Sequence, residues 1–269
     1  MSLAPILSLK GVSKRFGGLT VVKDVSFDVP PGARMALIGP NGAGKTTVFN
    51  LVSGFYKPDE GDILLEGQAL QSLPSRKRIG MGIARSFQNI RLMPHLSVVE
   101  NIMLGQHSRV SGMLDMLTPL SAFARSHWRQ EAEALLEEMG VDNYRGEVVA
   151  TLPYGIRKKI EVVRALAARP KIMMLDEPAA GLNAAETDNL TAFLEQISAR
   201  GTTLLIVEHD MGLVRRLCDH AVVLNFGAKI YDGPTATVHE NPDVLEAYLG
   251  PRHAGTEAPR RQKEAGHVA

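Results

Sequence analysis

The 269 residues are 45% hydrophobic and 22% charged, enough apolar side chain for one large α/β domain with an insertion or two modest domains sharing a cleft. A formal net charge of +1 gives no general attraction to nucleic acid, so a polyphosphate partner has to be held by a local site; single-nucleotide binding fits and duplex binding does not. One cysteine, Cys218, excludes an internal disulfide and a thiolate metal cluster, and no apolar run approaches the length of a membrane span. Met1 to Arg15 lacks the basic and apolar regions of a signal peptide, so the chain is expected to be cytosolic, with any membrane role exercised through a partner.

Loose alternation of apolar residues from Leu7 to Phe16 and from Val21 to Val29 predicts two antiparallel strands, the second closed by Pro30-Pro31-Gly32. Phe16 falls in the turn between them, before Gly17-Gly18; a ring there can stack on a base or pack in the core. Met35-Ala36-Leu37-Ile38 reads as a strand and Val48 to Val52 as a helix, and between them runs Gly39-Pro40-Asn41-Gly42-Ala43-Gly44-Lys45-Thr46-Thr47. Glycines at 39, 42 and 44 permit a tight loop whose N–H groups point inward at the positive end of the helix, which makes a phosphate cradle. Lys45 can reach the β- and γ-phosphates as a point charge, and the Thr46 hydroxyl is placed to ligand Mg²⁺. The loop wants a nucleoside triphosphate.

Further strands are predicted at Ile63 to Leu65 and Ile83 to Gln88. The character then turns helical: Val98, Val99, Ile102 and Met103 share a face, and Trp128 to Met139 repeats Ala and Leu at helical spacing among glutamates, joined irregularly through residues 107 to 126. Residues from Asn89 to about Ala165 therefore read as a helical insertion in an α/β core. That core resumes at Ile172-Met173-Met174-Leu175, a run suited to a strand buried on both faces, ending in Asp176-Glu177-Pro178. Glu186 to Arg200 is an amphipathic helix with Leu190, Phe193, Leu194 and Ile197 inward, and Leu204 to Val207 is the next strand, ending in Glu208-His209-Asp210. A helix over Met211 to Cys218, a strand over Ala221 to Leu224 and a hairpin through Gly227 to Ile230 follow, and residues 251–269 are polar and expected to be disordered.

Ligands of open parallel sheets bind beyond the carboxyl ends of strands, which puts Asp176, Glu177 and His209 beside the phosphate loop. Asp176 can hold Mg²⁺ through water, and Glu177 can polarise the attacking water or accept its proton; the alternative is that the pair caps the next turn. His209 is either a satisfied surface histidine or a contact to the γ-phosphate that senses its loss.

Phe16, the Gly39 to Thr47 loop, Gln88, Leu152-Pro153-Tyr154-Gly155, Ile172 to Pro178, Ala180-Gly181-Leu182-Asn183 and His209 come in the order and spacing of an ABC-type ATPase subunit, which the chain resembles over about residues 6 to 250. The resemblance implies a P-loop NTPase core with an antiparallel β subdomain and the helical insertion. It also implies a head-to-tail dimer sandwiching two ATPs, each site built from one subunit's phosphate loop and the other's signature, Leu152 to Gly155. In it Phe16 would stack on adenine, Gln88 would join Mg²⁺ and water to the membrane partner, Glu177 would be the catalytic base and His209 the γ-phosphate switch. The segment from Gln88 to about Asn101 would touch transmembrane permease subunits.

Pro153, Tyr154 and Ile156 depart from the common Leu-Ser-Gly-Gly-Gln signature, leaving Gly155 and a helix N-terminus with Arg157, Lys158 and Lys159 as the anion site. A Tyr-Gly signature, Ala179 to Asn183, Glu208 to Met211 and the closing Asn241 to Gly250 resemble the ATPases of branched-chain amino acid importers, served indirectly by a periplasmic binding protein. That group implies ATP and Mg²⁺ as cofactors, a peripheral position on the inner face of the cell membrane, and a homodimer or a heterodimer with a sister ATPase. Other cargo (urea, amides or exported lipid), a soluble ABC protein of translation or repair, and a regulatory module without turnover are the alternatives.

Overall fold

A computed structural model of the chain describes residues 4–86, 90–109 and 127–249. Strands β1 (Leu7–Phe16) and β2 (Leu19–Val29) pair antiparallel, and β3 (Arg34–Ile38) leads into α1 (Lys45–Ser53). Then come β4 (Glu60–Leu65), β5 (Gln68–Ala69), α2 (Ser75–Gly80), β6 (Ile83–Arg85), α3 (Val98–Gly105), α4 (His127–Glu138) and α5 (Tyr154–Leu166). The chain closes through β7 (Ile172–Asp176), α6 (Ala184–Ala199), β8 (Thr203–Val207), α7 (Met211–Leu217), β9 (His220–Asn225), β10 (Ala228–Pro234) and α8 (Pro242–Leu249).

Two sheets form, a four-stranded antiparallel one in the order β2-β1-β4-β5 and a six-stranded one in the order β10-β9-β3-β8-β7-β6. The second is parallel except at its β9–β10 edge. Its central strands carry the unbroken apolar runs Met35 to Ile38, Ile172 to Leu175 and Leu204 to Val207 because both faces are covered, and the period of two sends neighbouring residues to different cores. Met35 and Leu37, with Met174, Leu205 and Val207, pack under α1 and the antiparallel sheet. Ala36 and Ile38, with Met173, Leu175, Leu204 and Ile206, pack under α3 to α7. A polar residue at any of these positions exchanges roughly 1.5–3 kcal/mol of apolar burial for an unpaired polar group.

The helical segment closes onto the second core through Val98, Val99 and Ile102 of α3, Ala132 and Leu136 of α4 and Ile160 and Val163 of α5. α3 starts at a capping box between Ser97 and Glu100, and Asn101 is fully buried because its amide satisfies the Met93 backbone in both directions, N–H to Oδ1 and Nδ2 to O. Two boundaries differ from expectation. The strand predicted from Ile83 to Gln88 ends at Arg85 among the described residues, with Phe87, Gln88 and Asn89 outside them. The helix predicted from Glu186 starts at Ala184 because Asn183 and Glu186 form a second capping box. The expected tail at 251–269 lies outside the described residues. Cys218 is buried, and burial pushes its thiol up to about 12.

Candidate active site

The sheet order decides the site. β8 lies between β3 and β7, with Leu37 opposite Val207 and Asp176 opposite Val207, so the residues that follow all three strands emerge side by side. From β3 comes the loop. Gly39 has φ +146°, and a Cβ there would stand 2.1 Å from the Leu224 carbonyl oxygen, so only glycine lets the loop lie against β9. Gly44 caps α1 at φ +101° with no side-chain hydrogen bond, and its own Cβ would meet the Val21 carbonyl at 2.8 Å. The N–H groups of the first turn of α1 therefore keep their capacity for an anion. Lys45, buried at 6% exposure, donates from Nζ to the Gly39 carbonyl at 2.6 Å and the Pro40 carbonyl at 3.0 Å. Burial lowers its pKa, and the charges of Glu177 and Asp176 oppose that. The ammonium thus lies folded along the rim of the cradle, with two carboxylates near it.

From β7 comes Asp176, and after it Glu177 in the left-handed region at φ +48°. For a non-glycine residue that backbone costs roughly 1–3 kcal/mol and persists only where its surroundings impose it. Here the Glu177 N–H donates to the Val207 carbonyl at 2.8 Å, and the turned backbone brings Oε1 to 2.8 Å from Nε2 of His209, which follows β8. Glu208 braces both strand ends, accepting from the Ala179 N–H at 2.8 Å and the His209 N–H at 3.0 Å, and burial raises its pKa. In the turn that follows, the Ala179 N–H is thus taken by Glu208, and the Ala180 N–H donates to the Glu177 carbonyl at 3.1 Å.

The remaining expected residues divide. Phe16 ends β1 paired with Leu19, not in a free turn; its ring meets the Tyr56 ring at 5.0 Å edge-on and stays 40% exposed. Tyr56 is a second aromatic beside it that periodicity did not single out. Pro153 precedes α5, whose first turn has no side-chain cap, and Tyr154 and Gly155 begin the helix. The Tyr154 hydroxyl donates to the Ala180 carbonyl at 3.3 Å, and a Cβ on Gly181 would meet the Tyr154 ring at 3.3 Å. Of the cations after it, Arg157 and Lys158 lie 5.6 and 5.7 Å from the centre of the Tyr154 ring, Lys158 being buried, and Lys159 lies 5.4 Å from that of Phe193. Gln88 lies outside the described residues.

Sequence reasoning missed two further residues. Arg85 of β6 donates to Asp176 Oδ2 at 2.7 Å. Tyr248 of α8 lies against the backbone of Gly39, and partial burial pushes its phenol up. Neither carries a local signal, since each meets its partner only across the fold.

A family model described as ABC transporter matches residues 22–180, from β2 past the Asp176-Glu177 pair. The chain belongs to the ABC transporter family. This ABC chain is 44% identical over 254 residues to the high-affinity branched-chain amino acid transport ATP-binding protein BraF of Pseudomonas aeruginosa, a match covering 91% of this chain and 98% of that protein. It is 41% identical over 252 residues to the LivG protein of the same description from Escherichia coli, again over 91% and 98%. A solved ATP-binding cassette of an ABC transporter in its ADP conformation superposes with a TM-score of 0.80 at 29% identity, covering 92% of this chain and all of that one. The fold is that of an α/β P-loop ABC ATPase.

Proposed function

We propose that this chain is the ATP-hydrolysing subunit of an importer for branched-chain amino acids, working as a dimer on the inner face of the cell membrane. The observation that carries the chemistry is the Glu177–His209 pair, 2.8 Å apart, beside a side-chain-free helix N-terminus and a lysine. The cargo is supported by near-full-length similarity to BraF and LivG. No helix among the described residues is long and apolar enough to cross a membrane. In this reading, coupling to transport runs through permease subunits.

In this reading the amides of Gly42, Ala43 and Gly44 and of the first turn of α1 bind the phosphates, with Pro40, Asn41, Thr46 and Thr47 shaping the loop and Lys45 swinging from its carbonyls to the β- and γ-oxygens. Thr46 and Asp176 offer two hard oxygen ligands, and the described residues contain no group of three or more acidic, His or Cys side chains that would hold a metal alone. That donor set fits Mg²⁺, which keeps several waters and takes its other ligands from phosphate. Bound with ATP, Mg²⁺ would neutralise phosphate charge. Glu177 accepts the proton of the attacking water, and His209, held on its carboxylate, orients it and meets the γ-phosphate side. Phe16 stacks on the adenine, Gln88 links the site to the permeases, and Leu152 to Gly155 of one subunit complete the site of the other.

Tyr154 ties that signature to the Ala180–Gly181 turn of its own subunit. Tyr154→Ala is therefore expected to lower turnover about ten-fold while nucleotide binding stays within about two-fold; Tyr154→Phe, which loses only a 3.3 Å hydrogen bond, should cost about three-fold at most. Phosphate release and binding of a fluorescent nucleotide, measured side by side, check this.

A second reading, the same engine on other cargo, is favoured by 34% identity to the ribose import ATP-binding protein RbsA of Corynebacterium glutamicum, of which this chain spans 48%. Two measurements test the proposal. Mg²⁺-dependent ATPase activity per subunit should rise with protein concentration, as a dimer requires. Deleting the coding sequence should abolish high-affinity uptake of radiolabelled leucine; unchanged leucine uptake with lost uptake of another solute would transfer the chain to that cargo.

A further inference from the structure

Arg85 is a charged side chain with 8% of its surface exposed, inside the site, at a position no part of the proposed mechanism uses. Its guanidinium forks. One nitrogen, Nη2, donates to Asp176 Oδ2 at 2.7 Å; the other, Nη1, donates to Asn50 Oδ1 at 2.7 Å and lies 3.3 Å from the Ser53 hydroxyl. The rings of Phe49 and Phe55 flank it, with centroids 5.5 and 5.9 Å from the guanidinium carbon. Asn50, Ser53 and Phe49 all belong to α1, the helix whose first residues are Lys45 and Thr46. The fork therefore connects the carboxylate that ends β7 to the helix that carries the phosphate loop, from a third element, β6.

A buried ion pair is weak evidence for stability, since removing two charges from water offsets most of their attraction, and an apolar residue of similar length would fill this space between two phenylalanines. What the planar fork supplies and an apolar residue does not is direction. It engages Oδ2 alone and leaves Oδ1 of Asp176 without a hydrogen-bond donor among the described residues. We infer that Arg85 is a positioning residue for the metal-binding carboxylate: it fixes the rotation of Asp176 relative to Thr46, so that one oxygen faces the place where Mg²⁺ and the phosphates meet. The inference rests on the reading of Asp176 as the Mg²⁺ carboxylate.

The test measures how many-fold Mg²⁺, compared with EDTA, tightens a fluorescent non-hydrolysable ATP analogue on the full chain. Asp176→Asn should reduce that factor about ten-fold, and R85K, which keeps the charge but not the fork, about five-fold, both with unchanged affinity in EDTA. In the double variant R85K/D176N the factor should be no lower than in Asp176→Asn alone, because Arg85 acts only through that carboxylate. Asn50→Ala, which weakens the α1 end of the fork and leaves its bond to Asp176, should give a smaller loss of the same kind and serves if R85K fails to fold. An R85K protein that keeps the Mg²⁺ factor while Asp176→Asn loses it overturns the inference, as does additivity in the double variant. Equal losses in Mg²⁺ and in EDTA, together with a lowered melting temperature, also overturn it, leaving Arg85 a merely structural residue. If Asp176→Asn itself keeps the factor, the reading of Asp176 is what fails.

Discussion

Glu177→Gln is expected to lower ATP turnover by about three orders of magnitude while ATP binding is retained, so that the ATP-bound dimer accumulates. The substitution is close to isosteric. The amide that replaces the carboxylate can still meet His209 Nε2, which stands 2.8 Å from Oε1 of Glu177, and the left-handed backbone and the bond to the Val207 carbonyl do not depend on the carboxylate. What is lost is the proton acceptor, whose contribution in general-base catalysis is about 10²–10⁴ in rate. Size-exclusion chromatography with and without ATP should show a stable larger species for the variant alone. Turnover within about ten-fold of the parent would assign the base elsewhere and return Glu177 and His209 to a structural ion pair.

Lys45→Ala should be more severe, reducing ATP affinity by about a hundred-fold and turnover below detection, because one ammonium serves both the ground state and the transition state. The folded loop should survive the change. Lys45 Nζ bonds two carbonyls, Gly39 and Pro40, at the mouth of the cradle, and water can take over those acceptors. The loop's path is imposed instead by backbone contacts that do not involve the lysine, such as the approach of Gly39 to the Leu224 carbonyl and the bond from the Gly227 N–H to the Ala43 carbonyl. Thermal unfolding should shift by only a few degrees, and a titration with labelled ATP should fail to saturate. Retention of affinity within about ten-fold would mean that the amides of α1 carry the phosphates unaided.

The parts of the site legible in the amino-acid order are those whose chemistry is local. Gly39 to Thr47 is read from its glycines because each positive φ and the helix that follows are properties of a short segment. Asp176, Glu177 and His209 are read from their place at the ends of runs such as Ile172 to Leu175, since unbroken apolar runs have to be buried on both faces and their ends are where a parallel sheet opens. Asn183 as a helix cap is equally local, and the boundary expected at Glu186 is late because the capping box with Asn183 begins the helix two residues earlier.

What the sequence by itself determined, then, is which segments become strand, loop and helix, and which residue types stand at the ends of the strands. The tertiary structure alone decided their partners. Arg85 and Asp176 are 91 positions apart and meet because β6 and β7 pair in register, Arg85 beside Met174. Tyr56 reaches Phe16, Tyr248 reaches Gly39, and Lys158 and Lys159 turn onto Tyr154 and Phe193 for the same kind of reason. Periodicity reports which face of an element is buried, but a guanidinium or a phenol at a given register is aimed by the order of strands and the crossing of helices. Those follow from closing two cores around one sheet, a condition on the whole chain that no local window contains.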